Sequence, residues 1–472
     1  MQDYVTNYEE AVELLYRVPR FNSNHSLQNI EKFLTRMGQP DRQMKIVHIA
    51  GTNGKGSASA YLAGLLEYAG LKVGLFTSPH LVDVRERFQI NGEMISRELF
   101  TEAMQYIQRL LHAAKEDGED YQPCQFDMMF FIGMYAFRKE QVDILVLETG
   151  LGGRLDATNS VTDKVLTLIT HIDLEHTEFL GNTLEEIAAE KAGIMRAKVP
   201  CVVAPNNDRV AHVFLKKATE LESECRILGK ANYACQGVYE KSVAFSYFSG
   251  YYGTVPIKLN TMALYQVENV CLALAGFENL IDQGIVSEKD LSVERLKQAL
   301  WNTGWAGRME EVLEGVFLDG AHNTDGVAAF LKSVKADDCK GQRTVIFSAV
   351  NDKNYGQMLQ DIFRSGLFSQ VIVTQIAGER GVAAEQLYDE ACRHMKMQRA
   401  QDTSGEAYTL QTKAIEVCCQ QCPDIFSAIK LAFTKRKHLD YIYIVGSLYL
   451  VGQTKKLLSD HSEFSGEEGA PI

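Results

Sequence analysis

A short glycine-rich segment, Gly51–Ser57 (GTNGKGS), carries the strongest local sign of chemistry in the sequence. Glycine lets backbone N–H groups turn toward an anion, and a helix that begins there adds a favourable dipole. The ammonium group of Lys55 can neutralise the β- and γ-phosphates of a nucleotide. The segment therefore predicts a phosphate-binding loop, and an ordinary glycine-rich turn is the alternative.

This loop departs from the common P-loop pattern in two ways. The usual leading glycine is missing at the expected spacing before Gly54, and Gly56 follows Lys55 directly. In the common pattern a serine or threonine stands at that second position, and its hydroxyl reaches Mg²⁺. Ser57 comes one residue later, so we expect some metal ligands from elsewhere in the chain.

Polar side chains follow three predicted strands. They are Ser78, Glu148 and, a few residues beyond its strand, His176. Parallel α/β sheets place their chemistry at the carboxyl ends of their strands. A hydroxyl, a carboxylate and an imidazole beside a phosphate loop predict a Mg²⁺ site. Because Mg²⁺ seldom takes histidine, a hydrogen-bonded loop histidine is the alternative for His176.

A second glycine-rich segment, Thr149–Asn159 (TGLGGRLDATN), directly follows Glu148. Its three glycines allow close approach of a ligand or of another part of the chain. Arg154 and Asp156 could hold a polar substrate there. A structural turn closed by salt bridges is the alternative for both.

The elements that must position these groups alternate between strand-like and helix-like patterns. This alternation predicts an α/β fold with a central parallel sheet and helices on both faces. The strands expected in the first part are Lys45–Ala50, Leu71–Thr77, Val142–Glu148 and Val165–Thr170, and the helices are Lys55–Ala69, Phe126–Arg138 and Thr183–Gly193.

A change of composition at Trp301–Arg308 (WNTGWAGR) predicts a domain boundary near residue 303. The alternation then restarts as a smaller Rossmann-like α/β domain. We expect an ATP-binding domain over 1–302, a second domain over 303–460 and a disordered tail over 461–472. The elements expected in the second domain are the strands Val316–Ala321, Thr344–Val350, Gln370–Gln375 and Tyr441–Val445 and the helix Thr324–Val334.

Bulk properties exclude several classes of function. The 472 residues exceed one comfortable core, and a net charge of −13 argues against broad binding of nucleic acids or anionic membranes. The N-terminus does not have a signal-peptide layout, and no apolar run approaches the roughly 20 residues needed to span a bilayer. The ten cysteines, including a CxxC at Cys419 and Cys422, are expected to be reduced thiols. We therefore expect a cytoplasmic protein.

Nine segments, in this order, resemble folylpolyglutamate synthase and dihydrofolate synthase of the Mur ligase superfamily. They span most of the chain, which makes the resemblance far more specific than the loop alone. The segments are HIAGTNGKGS (48–57), TSPHL (77–81), RERFQING (85–92), LETGLGGRLDATN (147–159), EHTEFLG (175–181), EKAGI (190–194), GR (307–308), LDGAHN (318–323) and GSLYLVG (446–452).

The resemblance implies roles for individual residues. Lys55, Lys191 and His176 would be catalytic, with Lys191 carbamylated by CO₂. Mg²⁺ would be held by Ser78, Glu148 and His176. ATP would contact Thr52, Asn53, Gly54, Lys55, Gly56, Ser57, Gln266 and Asn269, together with Arg308, Asp319 and His322 of the second domain. The folate-type substrate would contact Arg87, Phe126, Arg154, Asp156 and Ser447.

Two motifs and one longer segment depart from the family pattern. Glu175 replaces the usual aspartate before the metal histidine, and Phe126–Asp127 replaces a Phe-Glu pair. The segment Met395–Pro423 contains no matching motif, so it is interpreted as a variable insertion.

The function that the resemblance implies is ATP-dependent addition of L-glutamate to the γ-carboxylate of (tetrahydro)folate through an acyl phosphate. Addition to dihydropteroate is left open. The alternatives are another amino-acid ligase of the superfamily, of the muramyl-peptide type, a non-catalytic ATP-binding regulatory module, and a simple ATPase. The partners expected are ATP, L-glutamate and the folate substrate, with Mg²⁺ as cofactor. We expect the protein to be a monomer.

Overall fold

The structure, a computed structural model, describes residues 4–20, 26–119, 121–205, 207–287, 292–403 and 417–460. The described residues form two compact units. The first lies within Met1–Cys235, Phe245–Lys258 and Gln266–Thr303, and the second within Gln236–Ala244, Leu259–Tyr265 and Gly304–Ile472. Two short ranges of the second unit thus lie inside the range expected for the first domain. The predicted tail, 461–472, lies outside the described residues.

The first unit contains a large sheet flanked by helices. Its strands are β1 (Lys45–Ala50), β2 (Val73–Phe76), β3 (Phe88–Ile90), β4 (Glu93–Met94), β5 (Ile144–Glu148), β6 (Lys164–Ile169), β7 (Cys201–Val203) and β8 (Cys225–Ile227). Its helices are α1 (Tyr8–Arg17), α2 (Leu27–Arg36), α3 (Lys55–Tyr68), α4 (Arg97–Glu116), α5 (Gln125–Lys139), α6 (Thr177–Leu180), α7 (Leu184–Ala192), α8 (Asp208–Glu220), α9 (Gln266–Asp282) and α10 (Val293–Asn302). A separate three-stranded sheet has the order β11 (Gly253–Leu259), β10 (Ser242–Ser249), β9 (Tyr233–Tyr239).

The order of strands in the large sheet is β4-β3-β2-β5-β1-β6-β7-β8. The six neighbouring strands β2, β5, β1, β6, β7 and β8 run parallel. Strands β3 and β4 form an antiparallel edge next to β2. The central strands are continuous apolar runs because helices cover both faces of such a sheet. Strand β1 lies between β5 and β6, and Ile49 pairs with Glu148 in this register. The loop that leaves β1 therefore starts between the carboxyl ends of β5 and β6.

Helix α7 carries the lysine that the resemblance singles out. Its start is fixed by a capping box, in which Thr183 accepts from the N–H of Glu186 while the Glu186 carboxylate accepts from the N–H of Thr183. The buried face of the helix consists of Ile187, Ala188, Lys191 and Ala192. Lys191 thus occupies a position on the apolar side of the helix, so its amine is held inside the protein.

The second unit is built on a six-stranded sheet of order β12-β13-β17-β14-β15-β16, in which all pairs but β12–β13 are parallel. Its strands are β12 (Glu310–Leu313), β13 (Val316–Asp319), β14 (Arg343–Phe347), β15 (Gln370–Thr374), β16 (Cys418–Cys422) and β17 (Tyr441–Val445). Its helices are α11 (Thr324–Lys335), α12 (Tyr355–Ser365), α13 (Ala384–Thr403), α14 (Ile425–Lys435) and α15 (Leu448–Asp460).

The core of the second unit is centred on the aromatic ring of Tyr443 in β17. Its centroid lies 5.4 Å from that of Phe317 and 5.7 Å from that of Phe330. The Tyr443 hydroxyl donates to Asp337, so the buried ring keeps a partner for its polar end. The part of the expected insertion that is described includes β16, an edge strand paired with β15.

The expected fold class is confirmed, and the strands and helices predicted in both domains are present with small shifts at their ends. All ten cysteines are free thiols. In the part of the chain that the structure describes, no helix is long and apolar enough to cross a membrane.

Candidate active site

The phosphate-binding loop connects β1 to α3 through two glycines with positive φ. Gly51 has φ +150° and Gly54, the residue before α3, has φ +92°. A Cβ on Gly54 would lie 2.1 Å from Oδ1 of Asn269, and one on Gly51 would lie 1.8 Å from Oγ1 of Thr170. Both positions therefore require glycine, because neighbouring side chains occupy the space as well as because the backbone favours it.

Two lysine side chains meet at one carbonyl of this loop. Nζ of Lys55 donates to the oxygen of Gly51 at 3.0 Å and to that of Thr52 at 3.0 Å. Nζ of Lys191, from α7, donates to the same Gly51 oxygen at 2.7 Å. The structure thus brings together two of the three predicted catalytic residues, although they lie far apart in the sequence.

The environment of Lys191 favours its neutral form. The side chain is 1% exposed, and burial, with added repulsion from the Lys55 ammonium, lowers the pKa of Lys191 to about 7. Glu175 and Asp156 oppose this shift. Near neutral pH a substantial fraction of this lysine is therefore an uncharged amine, which is the nucleophilic form.

The start of α9 supports the loop from the side. Nε2 of Gln266 donates to Oγ of Ser57 at 3.2 Å, and Nδ2 of Asn269 donates to Oε1 of Gln266 at 2.9 Å. All three side chains are buried. These predicted ATP-binding residues therefore lie together, and their described hydrogen bonds hold the loop rather than reach outward.

Thr52 ties the loop to the segment after β6. Its N–H donates to the oxygen of His171 at 2.8 Å, and its hydroxyl contacts the oxygen and the N–H of Asp173. The loop is therefore held against the segment that leads from β6 to the predicted metal ligand His176.

The predicted metal ligands lie at the strand ends expected for them. Glu148 ends β5, is 2% exposed, and its Oε2 accepts from the N–H of Ser78 at 2.9 Å. His176 precedes α6 with φ +47°, and its Nε2 lies 3.5 Å from Oε1 of Glu175. The backbone N–H of Ser78 is thus hydrogen-bonded to Glu148, and metal binding by Ser78, Glu148 and His176 stays a prediction.

The end of β5 offers oxygen atoms that suit a hard cation. Beside the Glu148 carboxylate in the chain, the hydroxyl of Thr149 is buried and has no hydrogen-bond partner in the described structure, and the same holds for the hydroxyl of Thr170 next to Gly51. Oxygen ligands, including a carboxylate, are the set that Mg²⁺ prefers. Within the described ranges, no group of three or more His, Cys, Asp and Glu side chains is arranged to hold a metal ion. A site of the predicted kind therefore depends on hydroxyl as well as carboxylate oxygen.

Arg154 and Asp156 make the contacts of a structural turn. Arg154 forms an ion pair with Glu190 at 2.9 Å. Asp156 accepts from the N–H groups of Leu151 and Thr158 and from the Thr158 hydroxyl. Burial raises the pKa of Asp156, and these donors oppose the shift. Direct contact of either side chain with substrate stays a prediction.

Two further residues predicted to bind substrate are Phe126 and Arg87. Phe126 packs against this turn, and Arg87 contacts His80, two residues after Ser78. The ring of Phe126 lies 2.5 Å from where a Cβ on Gly150 would stand, so Gly150 gives room to it. Nε of Arg87 donates to Nδ1 of His80 at 2.8 Å. Burial, with added repulsion from Arg87, lowers the pKa of His80 to about 4.

The second unit gathers its own predicted ATP-binding residues at the end of β13. Asp319 is buried and accepts from the hydroxyl of Tyr265 at 2.5 Å and from the N–H of Met309 at 3.0 Å. Burial raises its pKa, and Arg308 opposes the shift. A Cβ on Gly320 would lie 2.2 Å from Nη1 of Arg308.

His322 and Ser447 complete the predicted residues of this unit. Nδ1 of His322 lies 2.8 Å from the oxygen of Gly320, so this nitrogen carries the proton, because a carbonyl only accepts. Ser447 is 2% exposed, and its Oγ accepts from the N–H of Tyr449 at 3.1 Å. The described contact of Ser447 caps the start of α15, and its substrate role stays a prediction.

Sequence reasoning missed two residues near the site, His48 and Thr158. Nε2 of His48 lies 2.8 Å from Oγ1 of Thr158, and His48 is fully buried in β1. The available signal was an imidazole within the otherwise apolar run KIVHIA. A buried polar group in such a strand requires a partner.

Comparisons with known proteins agree with this fold. The family described as "Mur ligase middle domain" matches residues 130–276, and "Mur ligase, glutamate ligase domain" matches residues 307–448. The chain is therefore a Mur ligase by class, with a phosphate-loop sheet followed by a second α/β sheet.

Full-length relatives define the family more closely. The chain is 30% identical over 461 residues to "Dihydrofolate synthase/folylpolyglutamate synthase" of Bacillus subtilis, covering 96% of this chain and 99% of the relative. It is 30% identical over 387 residues to "Folylpolyglutamate synthase" of Lacticaseibacillus casei, covering 81% and 89%. The structure titled "apo form of L. casei FPGS" matches with a TM-score of 0.80 at 25% identity, covering 96% and 100%. The chain belongs to the folylpolyglutamate synthase/dihydrofolate synthase family, and it is a ligase.

Substitution of Gly54 tests the close approach of Asn269 to the loop. We expect Gly54→Ala to weaken ATP binding at least about tenfold, because the new Cβ must displace Asn269 or the loop. Gly70→Ala is the matched control, since Gly70 also has positive φ (+98°) but has open space around its Cβ position. It should cost only about 1 kcal/mol of stability. Isothermal titration with ATP measures the difference, and equal ATP affinities in both variants would contradict the steric account.

The lowered pKa of Lys191 predicts a pH-dependent stability. Between pH 7 and 10 the unfolded chain holds the Lys191 proton and the folded chain does not, so this lysine's contribution to stability rises with pH. In CO₂-depleted buffer, the unfolding free energy of wild type minus that of Lys191→Met should increase by up to about 1.4 kcal/mol per pH unit. Urea unfolding at several pH values measures it. A difference that does not change with pH would refute the assigned pKa of Lys191.

Proposed function

We propose that this chain joins L-glutamate to the γ-carboxylate of a reduced folate, and to the carboxylate of dihydropteroate, at the expense of ATP. Membership of the folylpolyglutamate synthase/dihydrofolate synthase family supports the reaction class. The observation that carries the proposal is the meeting of Lys55 and buried Lys191 at the Gly51 carbonyl of the phosphate loop. In the proposed reaction, these two lysines would supply a cation and a titratable amine beside the transferred phosphate.

The proposed reaction has two steps. An oxygen of the substrate carboxylate attacks the γ-phosphorus of ATP, ADP leaves, and an acyl phosphate forms. The amine of glutamate then attacks the acyl carbon, phosphate leaves with the original carboxylate oxygen, and the amine loses a proton. The first step is needed because a free carboxylate is a poor electrophile near neutral pH.

Lys55 and the loop amides stabilise charge on the transferred phosphoryl group in this proposal. The Lys55 ammonium is held at the loop by the Gly51 and Thr52 carbonyls. It can reach the phosphates by exchanging these neutral acceptors for anionic oxygens, which bind ammonium more strongly. Preorganised positive charge of this kind is a main source of catalysis in phosphoryl transfer.

Mg²⁺ would be held by Ser78, Glu148 and His176, and when bound it would neutralise phosphate charge. The hydrogen bond from the Ser78 N–H to Glu148 keeps these two ligands adjacent. The buried hydroxyls of Thr149 and Thr170 supply further polar groups in the same region.

Carbamylation of Lys191 is the second part of the proposal. The neutral amine adds to CO₂ and releases one proton, which converts the lysine into an anionic carbamate. The carbamate nitrogen keeps one hydrogen, so it can still donate to the Gly51 carbonyl. The burial of Lys191 and its pKa of about 7 support this reaction, because they favour the amine over the ammonium form.

We also propose that the enzyme acts in the cytoplasm. Its ten free cysteines suit a reducing compartment. The proposed substrates, ATP and reduced folates, require no exported protein.

A phosphate-release assay with ATP, Mg²⁺ and glutamate tests the proposed function. We expect release with tetrahydrofolate and with dihydropteroate but not with a muramyl-peptide acceptor. Lys55→Ala and Glu148→Gln should each lower the rate at least about a thousandfold, because each removes charge stabilisation of the phosphoryl group. Exposed Lys216→Ala should match wild type.

The alternatives give different results in this assay. Release with a muramyl acceptor alone would favour the other ligase type. Release with no acceptor present would indicate an ATPase, and ATP binding without release would indicate a regulatory module. Near-normal turnover of Lys55→Ala or Glu148→Gln would refute the assigned roles.

Isotope labelling tests carbamylation. Wild type equilibrated with ¹³C-bicarbonate should show one carbamate carbon signal by NMR that Lys191→Met lacks. Product formation by Lys191→Met should fall at least about a hundredfold, since an anion near the metal site is lost. Wild-type protein without the signal, assayed while fully active, would contradict the carbamate.

A further inference from the structure

A buried hydrogen-bonded chain runs from β1 to the glycine-rich segment after β5. Nε2 of His48 lies 2.8 Å from Oγ1 of Thr158, and this hydroxyl lies 2.5 Å from Oδ1 of Asp156. His48 is fully buried, and Asp156 is 7% exposed. None of these contacts involves the phosphate loop.

The donors and acceptors in this chain can be assigned. Oδ1 of Asp156 accepts from the N–H of Thr158, and Oδ2 accepts from the N–H of Leu151, so the carboxylate accepts on both oxygens. The single hydroxyl proton of Thr158 therefore goes to Asp156. Its Oγ1 must then accept from His48, which places the imidazole proton on Nε2.

The other nitrogen of His48 supports this assignment. Nδ1 is buried and has no hydrogen-bond partner in the described part of the chain. Burial, with repulsion from Lys164 and Arg196, lowers the pKa of His48 well below its usual value, so the ring is neutral. A neutral ring with its proton on Nε2 leaves Nδ1 as a bare acceptor, which matches its unpartnered state.

Asp156 closes the turn within the segment Thr149–Asn159, and two neighbouring residues of the segment hold it against α7. The N–H of Arg154 donates to the oxygen of Glu190 at 2.8 Å, and Nδ2 of Asn159 donates to the oxygen of Gly193 at 3.1 Å. A Cβ on Gly153 would lie 3.0 Å from Cα of Lys191. The segment therefore connects Glu148, which precedes it, with the helix that carries Lys191.

The same segment also contacts the ring predicted to border the acceptor. Gly150 packs against Phe126 so closely that no side chain fits between them. Any rotation of the turn at Gly150–Gly153 would therefore move that ring, the backbone of Lys191, or both. The position of this turn depends on the Asp156 carboxylate, and hence on the hydroxyl that His48 orients.

We propose that His48 is a positioning residue for the pteridine-bearing acceptor, acting through Thr158 and Asp156 on the turn that packs against Phe126 and α7. This inference rests on the proposed function. Loss of the Nε2 donor leaves the Thr158 hydroxyl held by Asp156 alone, so the hydroxyl and the turn that it supports are less firmly oriented. ATP binding should change much less than acceptor binding, because Thr52, Gln266 and Asn269 hold the phosphate loop in addition to Lys191.

Side-chain geometry offers a matched pair of variants. The amide nitrogen of glutamine can occupy the place of Nε2, whereas that of asparagine corresponds to Nδ1 and ends short of Thr158. His48→Gln thus keeps the donor and His48→Asn removes it. Val47→Ala, at the next buried position of β1, is a control for loss of packing alone.

The experiment measures glutamate-dependent phosphate release while tetrahydrofolate and ATP are varied separately. His48→Asn should raise KM for tetrahydrofolate about tenfold and leave KM for ATP within about twofold. His48→Gln should restore KM for tetrahydrofolate to within about threefold of wild type. Val47→Ala should lower the melting temperature without changing either KM. Thr158→Val, which removes the hydroxyl and keeps the shape, should reproduce the effect of His48→Asn.

Several outcomes would overturn the inference. An unchanged KM for tetrahydrofolate in both His48→Asn and Thr158→Val would do so. So would equal rises in the KM for tetrahydrofolate and the KM for ATP in these variants, if Val47→Ala shows the same rises. If His48→Asn does not fold, Thr158→Val decides alone. An active wild type with these results refutes the inference only. A wild type without glutamate-dependent release refutes the proposed function and this inference with it.

Discussion

The carbonyl oxygen of Gly51 is the point on which the arrangement of the first unit depends. It accepts from Lys55 within the phosphate loop and from Lys191 on α7, so one acceptor joins an element of the nucleotide site to a distant helix. Two ammonium groups at such a distance repel each other strongly in a buried environment. Burial, with this repulsion added, lowers the pKa of Lys191 to about 7, so near neutral pH a substantial fraction of the pair carries a single positive charge.

The segment Thr149–Asn159 extends this arrangement to the acceptor side. It leaves Glu148 at the end of β5, packs against the backbone of Lys191, and is held by the buried polar side chains of Asp156 and Asn159. Asn159 uses its full hydrogen-bonding capacity. Its Oδ1 accepts from Lys164 and Arg196, while its Nδ2 donates to two backbone carbonyls. A fully paired buried side chain of this kind helps to rigidify the turn, since loss of a partner would be costly.

Much of the fold could be predicted from sequence because its central strands are buried on both faces. The strands Lys45–Ala50 and Tyr441–Val445 consist mostly of apolar residues, and both have the predicted ends in the structure. The antiparallel edge β3–β4 and the sheet β9–β11 were not predicted. Residues of β9 are mostly exposed or half-buried, so their apolar pattern is weak. Packing rather than local pattern determines such elements.

Some residues of the candidate site could be predicted from local sequence patterns, and others could not. Lys55 and Glu148 could be located from local patterns, because a glycine loop and the end of a buried strand mark them. Lys191 could not, since a lysine within the helical pattern of α7 looks like a surface residue, and only its resemblance to a known motif distinguished it. His48 escaped notice because its partner, Thr158, comes from a distant segment whose approach no local pattern reveals.

The close approach of Gly54 and Asn269 has an evolutionary consequence. A side chain at position 54 requires a smaller residue at position 269 and is still strained by the positive φ, and Asn269 is also hydrogen-bonded to Gln266. Substitution of Gly54 alone is thus opposed by epistasis, whereas a smaller residue at position 269 meets no such steric barrier. Among related ligases, position 54 should therefore change only where position 269 has already become smaller.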